Sequence, residues 1–168
     1  MIPVIPRMKF TILTEKTPEE VCHIMEEATM VRNGLIRFSP GGPDFFGEVW
    51  DSEFEVMPIL PLGVRNSFQP VIVGDIRKQG NETAVEIHMR LSWHIFAFCV
   101  AWFGMTGLYF AVCLLNLIIG HPDSWKGIVS AVGYFLIVQL LARAGFYIPA
   151  KKARRRLEVL FGEPVCTD

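Results

Sequence analysis

The chain has 168 residues, 16 basic against 17 acidic side chains and 51% apolar residues, a length that suits one domain of ordinary size. A formal charge of -1 excludes a basic nucleic-acid reader, which needs a cationic excess to offer phosphates, and the apolar and aromatic content excludes a disordered chain. The charges are unevenly spread: residues 1–92 hold 9 Lys/Arg and 13 Asp/Glu, residues 93–142 hold only Lys126 and Asp123, and residues 143–168 hold 6 and 3. A middle third almost free of charge points to a bilayer.

The first ten residues, MIPVIPRMKF, carry two prolines and no continuous apolar core. They make no cleavable signal peptide, so the first membrane span is expected to act as the targeting signal. Met8 to Leu13 alternates weakly and reads as a strand. A helix start follows, with Thr17 as N-cap, Pro18 at the first helical position and Glu20 completing a capping box. Val21, Ile24, Met25 and Ala28 then form one apolar stripe, and Asn33-Gly34 is expected to end the helix. Glu19, Glu20, Glu26 and Glu27 lie mainly off the stripe, as a solvated face favoured by the helix dipole.

After Gly34 strand formers alternate with turn signals. Ser39 to Asp44 is a loop, residues 45–50 (FFGEVW) and 54–59 (FEVMPI) are short strands, and Pro61-Leu62-Gly63 interrupts the chain. Residues 66–78 form a longer strand in which Pro70 and Gly74 suggest an edge or a bulge. From Thr83 to Leu91 the alternation is clean: Val85, Ile87, Met89 and Leu91 on one side, Ala84, Glu86, His88 and Arg90 on the other. Four strands with short turns make an antiparallel meander with one buried face.

Residues 95–120 contain no Asp, Glu, Lys, Arg or His, and their 26 residues exceed the ~30 Å hydrocarbon thickness. A second apolar run, 127–142, needs residues 145–148 to span, which places Arg143 inside it. Arg143 sits close enough to the end to snorkel to the headgroups; the alternative is a functional intramembrane charge. The connector His121 to Lys126 is short, so the helices are antiparallel neighbours. Trp93 and Trp125 read as interfacial anchors. Arg77, Lys78 and Arg90 before the first span and Lys151, Lys152, Arg154, Arg155 and Arg156 after the second oppose Lys126 between them. Eight against one places both termini in the cytoplasm and makes the chain a multi-pass protein of the plasma (inner) membrane.

Pro149 is expected to kink or restart the helix. The following segment, Ala150 to Phe161, puts Ala153, Leu157, Leu160 and Phe161 on one face. Docking on the sheet is the preferred reading, with lying along anionic lipid as the alternative. The expected architecture is α+β: residues 1–92 a cytoplasmic meander with one amphipathic helix, 93–149 a transmembrane hairpin, and 150–168 a basic helix and tail.

Phe46-Gly47 with Val49, Phe54-x-Val56, Arg65-Asn66-Ser67-Phe68-x-Pro70-Val71-x-x-Gly74, and Met89-Arg90-Leu91 running into an aromatic-rich span together resemble a family of small uncharacterised bacterial membrane proteins. The resemblance covers roughly residues 45–160. It implies a β-rich cytoplasmic domain, a two-helix hairpin and a basic tail, and no activity. A more distant likeness is to bacterial pleckstrin-homology-like membrane domains, from which this chain departs by placing helix and sheet before the hairpin.

Chemistry-bearing motifs are sparse. The chain has no G-x-S-x-G, no H-E-x-x-H and no C-x-x-C, and Pro40-Gly41-Gly42-Pro43 lacks the Lys-Ser/Thr of a phosphate loop. His23, His88, His94 and His121 are scattered, and His88 with His94 lacks a third metal ligand. No catalytic residue, metal site or cofactor is therefore assigned. The cluster with most to offer is Arg65-Asn66-Ser67, where the Arg65 fork suits a carboxylate or phosphate, such as a lipid headgroup. Its competing reading is a turn that bonds its own backbone. Gly104, Gly107 and Ala111 form a small-residue face expected to pack against the hairpin's other helix. The expected function is a non-catalytic, membrane-anchored binding or scaffold module whose partner is the bilayer. The alternative is an accessory subunit of a membrane enzyme or transporter complex, with a membrane protein as partner.

Overall fold

The computed structural model describes residues 5–31, 43–60 and 66–162. Their elements are β1 (Met8–Thr14), α1 (Pro18–Ala28), β2 (Thr29–Val31), β3 (Phe45–Val49), β4 (Glu53–Pro58), β5 (Pro70–Gln79), β6 (Glu82–Leu91), α2 (Trp93–Ile119) and α3 (Trp125–Phe161), with a short 3-10 turn at Pro122–Ser124. The fold is α+β. One six-stranded sheet runs β1-β6-β5-β4-β3-β2. The meander from β3 to β6 is antiparallel throughout, β1 closes one side by pairing antiparallel with β6, and β2 adds a short parallel edge against β3.

Local chemistry explains the first turn of structure. The Thr17 side chain accepts from the Glu20 N–H and the Glu20 carboxylate accepts from the Thr17 N–H, completing the capping box. Helix α1 nevertheless ends at Ala28, before Asn33-Gly34, a pair that lies outside the described residues. Thr29-Met30-Val31 includes two β-branched residues, and its backbone pairs with β3 instead of continuing the helix.

The sheet has one covered face. Val85, Ile87, Met89 and Leu91 are buried, as are Phe10 and Ile12 of β1, Phe54 and Val56 of β4, and Ile72 and Ile76 of β5. Val21 and Met25 of α1 cover part of this face. The rest is covered by α3, through Phe146, Ala150, Ala153, Leu157 and Phe161. The opposite face carries exposed ion pairs, Lys9 with Glu86 and Arg90 with Glu55. Strand β5 is neither an edge nor bulged: its register with β6 is continuous from Pro70 to Gln79. Pro70 begins the strand, and Gly74 is there because the ring of Phe54, its cross-strand partner, lies over it where any Cβ would stand.

Two helices are long and apolar enough to cross a membrane. Their most apolar stretches are only 11% and 17% buried, unlike core helices of a water-soluble fold, and both follow the sheet rather than preceding it. The hairpin turns at Gly120, whose φ of 102° is the left-handed conformation glycine favours. The two helices approach closely at Gly127, where an added Cβ would lie 2.5 Å from the Cys113 sulfur. Gly104 and Gly107 have open space where a side chain would stand, so the small-residue face expected to pack on α3 points elsewhere.

Helix α3 is the element the sequence divided. It continues as one helix through Pro149 for 37 residues, about 55 Å at 1.5 Å per residue. The apolar first part pairs with α2, and the last part docks on the sheet, the preferred of the two readings. Its final carbonyls are satisfied in part by Thr14, whose hydroxyl donates to the Phe161 carbonyl at 2.6 Å in a buried setting. The core therefore crosses the segment boundaries drawn at residues 92 and 149.

Candidate functional site

The junction where α3 leaves the hairpin and meets the sheet brings together several of the residues singled out in the sequence, Asn66, Pro149, Lys152 and Arg156. Pro149 has no N–H, so the carbonyl four residues earlier, on Gly145, loses its helical partner. The Asn66 side chain supplies the missing donor, Nδ2 to the Gly145 carbonyl at 2.5 Å, while Asn66 Oδ1 accepts from the Phe68 N–H at 3.0 Å. Gly145 makes the approach feasible, since a Cβ there would lie 2.8 Å from Phe68 Cβ and 2.9 Å from Asn66 Oδ1. This substitution of a side-chain donor for a backbone one compensates the helix at its proline and ties the loop before β5 to α3.

Asn66 is thus committed to structure through both ends of its carboxamide, and the neighbouring Ser67 is exposed. Arg65 lies outside the described residues. The anion site expected from Arg65-Asn66-Ser67 has its middle residue placed as a fastener at the wall of a cleft.

That cleft, of about 490 Å³, lies between the ends of β3 and β4 and the part of α3 next to the hairpin. Phe45, Pro58, Ile59, Ile148 and Pro149 give it apolar walls, and Asn66, Asp44, Lys152 and Arg156 give it polar edges. Asp44 organises one edge. Its N–H donates to the Ala28 carbonyl at 3.0 Å, its carbonyl accepts from Ile59 at 2.9 Å, and its carboxylate accepts from Arg156 at 2.6 Å. Gln69 Nε2 donates to the Pro58 carbonyl and holds the β4 end of the cleft against the same loop. Lys152 is exposed at the rim.

The remaining cations divide by role. Arg154 is held by Glu158 at 2.7 Å and stands 4.9 Å from the centre of the Phe10 ring, and Arg156 is held by Asp44. Both therefore fasten α3 to the sheet domain, Arg154 through the Phe10 ring and Arg156 through Asp44, while Lys151, Lys152 and Arg155 stand exposed. Arg143 is half-buried and makes no ion pair or hydrogen bond among the described residues. Trp93 is 71% exposed and stacks on Phe96 at 5.7 Å, and Trp125 is 54% exposed at the hairpin turn. A second cleft of about 470 Å³ at the start of α2 is lined by Ile5, Leu91, Trp93 and Phe96 with Arg7 and Arg90.

No group of three His, Cys, Asp or Glu side chains converges in a way that could hold a metal ion among the described residues. Cys22 lies away from the junction, its thiol donating to the Trp50 carbonyl at 3.2 Å. Burial, then the charges of Glu26 and Asp51, push its pKa above the ordinary thiol value. That setting disfavours the thiolate, the form of a thiol that reacts.

Sequence reasoning found Asn66, Lys152 and Pro149 individually but missed that they meet. The signal that could have linked them is the Gly145-x-x-x-Pro149 spacing, in which a proline frees the carbonyl of a residue small enough to be reached. Comparison of the chain with protein-family models and with curated proteins finds no match in either. What the chain does is accordingly argued from its own geometry.

Proposed function

We propose that this chain is a two-pass protein of a bacterial plasma (inner) membrane, with both termini in the cytoplasm, acting as a non-catalytic anchored binding or scaffold module. The observation that carries the reading is α3: one helix that is apolar and outward-facing over its first part and built into the core of the sheet over its last. Only Ser92 separates β6 from α2. The domain is attached to the hairpin at two points, one of them a continuous helix, and so is held against the bilayer without a hinge. The basic residues flanking the hairpin, against Lys126 alone in its turn, support the cytoplasmic side for the domain. A reporter fused after Asp168 is expected to behave as cytoplasmic and one inserted at Asp123 as external; the reverse pattern overturns the orientation.

A second reading, an accessory subunit of a membrane enzyme or transporter, draws on the outer face of the hairpin. Trp102 Nε1 is buried there without a hydrogen-bond partner among the described residues, and Tyr109 and Tyr134 are exposed on the same shallow notch, in a region where hydrocarbon would offer no acceptor. Affinity capture of the full chain from mild detergent separates the two readings: one stoichiometric membrane partner favours the subunit.

A further inference from the structure

We propose that the cleft between the sheet and α3 is a binding site for an anionic phospholipid of the cytoplasmic leaflet, with an acyl chain along its apolar walls and the phosphate at Lys152. The inference rests on the membrane reading above and names what the junction binds. Three observations support it. The cleft's volume, about 490 Å³, falls within the range of small-molecule sites, ~300–1,000 Å³. Its α3 wall includes Gly145 and Ile148, where the helix leaves the apolar stretch, so the ligand is already present at that depth as bilayer lipid. Its charge is asymmetric: the Asp44 carboxylate is neutralised by Arg156 at 2.6 Å, which among the described residues leaves the Lys152 ammonium as the uncompensated charge at the rim.

The geometry also says why this is a site and not only a greasy surface. Asn66, Gly145 and Pro149 fix one wall, and the Asp44 hydrogen bonds and ion pair fix the other. The cleft is therefore formed before any ligand arrives, and a ligand loses little affinity to ordering it. Lys152 supplies a point charge that suits a phosphate without demanding one orientation. Lys151 provides the internal comparison, because it is exposed on the same helix, carries the same charge and does not line the cleft.

The test uses the full chain in nanodiscs made with phosphatidylcholine and a minor fraction of phosphatidylglycerol, and counts the lipids retained by native mass spectrometry after release. Wild type is expected to retain phosphatidylglycerol in preference to phosphatidylcholine. Lys152→Gln should lower that retention about fivefold, the equivalent of the ~1 kcal/mol that one cation contributes near an anionic surface. Lys151→Gln should leave it unchanged. Ala144→Trp, at an exposed position on the cleft wall, should block retention while Lys152 is intact. Equal losses in Lys152→Gln and Lys151→Gln would mean general attraction of a basic helix, and equal retention of the two lipids would mean no charge recognition; either overturns the proposal. Failure of the wild-type chain to enter nanodiscs overturns the membrane reading itself and the site with it.

Discussion

The carboxamide of Asn66 stands in for a backbone N–H that Pro149 lacks, and that exchange can be tested by changing either partner. Asn66→Ala leaves the Gly145 carbonyl without its donor at a part-buried position, so it should cost about 1–3 kcal/mol of stability. Pro149→Ala restores the helical N–H, and in that background the same Asn66→Ala change should cost clearly less. Thermal unfolding of the four proteins in detergent gives the comparison, and equal costs in both backgrounds would show that Asn66 acts elsewhere. At Cys22 the raised pKa has a definite sign. The native setting disfavours the thiolate, so its contribution to stability is present below the unfolded thiol pKa and is lost as pH rises through the folded one. Alkylation of Cys22 near pH 8, read on its own peptide by mass spectrometry, should be slower in the folded protein than in urea. Equal rates would remove the argument.

At the scale of elements, β6 distinguishes its two faces. Ile87 is fully buried between strands and under the helices, and Ile87→Ala should cost on the order of 2–5 kcal/mol through the cavity it opens. Glu86 faces the other way in an exposed pair with Lys9 at 3.9 Å, so Glu86→Ala should change stability by less than about 1 kcal/mol. Denaturant titration of the full chain in detergent checks both, and equal tolerance would put the register in error. The same alternation that made β6 legible is absent from β5. Its burial is nearly continuous from Pro70 to Gly74, and the ring of Phe54 fills the place of a side chain at Gly74. A glycine read one strand at a time signals an irregularity, whereas across two strands it is a packing position.

At the scale of the whole molecule the sheet and the hairpin share a core. A fragment ending at residue 92 keeps all six strands and α1 but loses Phe146, Ala150, Ala153, Leu157 and Phe161 from the buried face. It also loses the ligand of Thr14, the Phe161 carbonyl. We expect that fragment to lack a cooperative unfolding transition by circular dichroism and calorimetry, and a sharp two-state transition in it would show that α3 is dispensable to the domain.

Composition and periodicity alone determined the α+β class, the capping box at Thr17, the buried side of β6 and two stretches long and apolar enough to span. Each of these depends on residues close together in the chain, where spacing is the physics: 3.6 residues per helical turn, two per strand repeat, a charge-free run as long as a bilayer is thick. Only the tertiary structure decided that Thr29–Val31 leaves the helix for the sheet edge, that β5 lies inside the sheet, and that α3 passes unbroken through Pro149. Those outcomes turn on partners far away in sequence: β3 for Thr29–Val31, Phe54 for Gly74 and Asn66 for the carbonyl that Pro149 leaves open. A local rule states what a residue requires, and the fold alone determines which distant group meets the requirement.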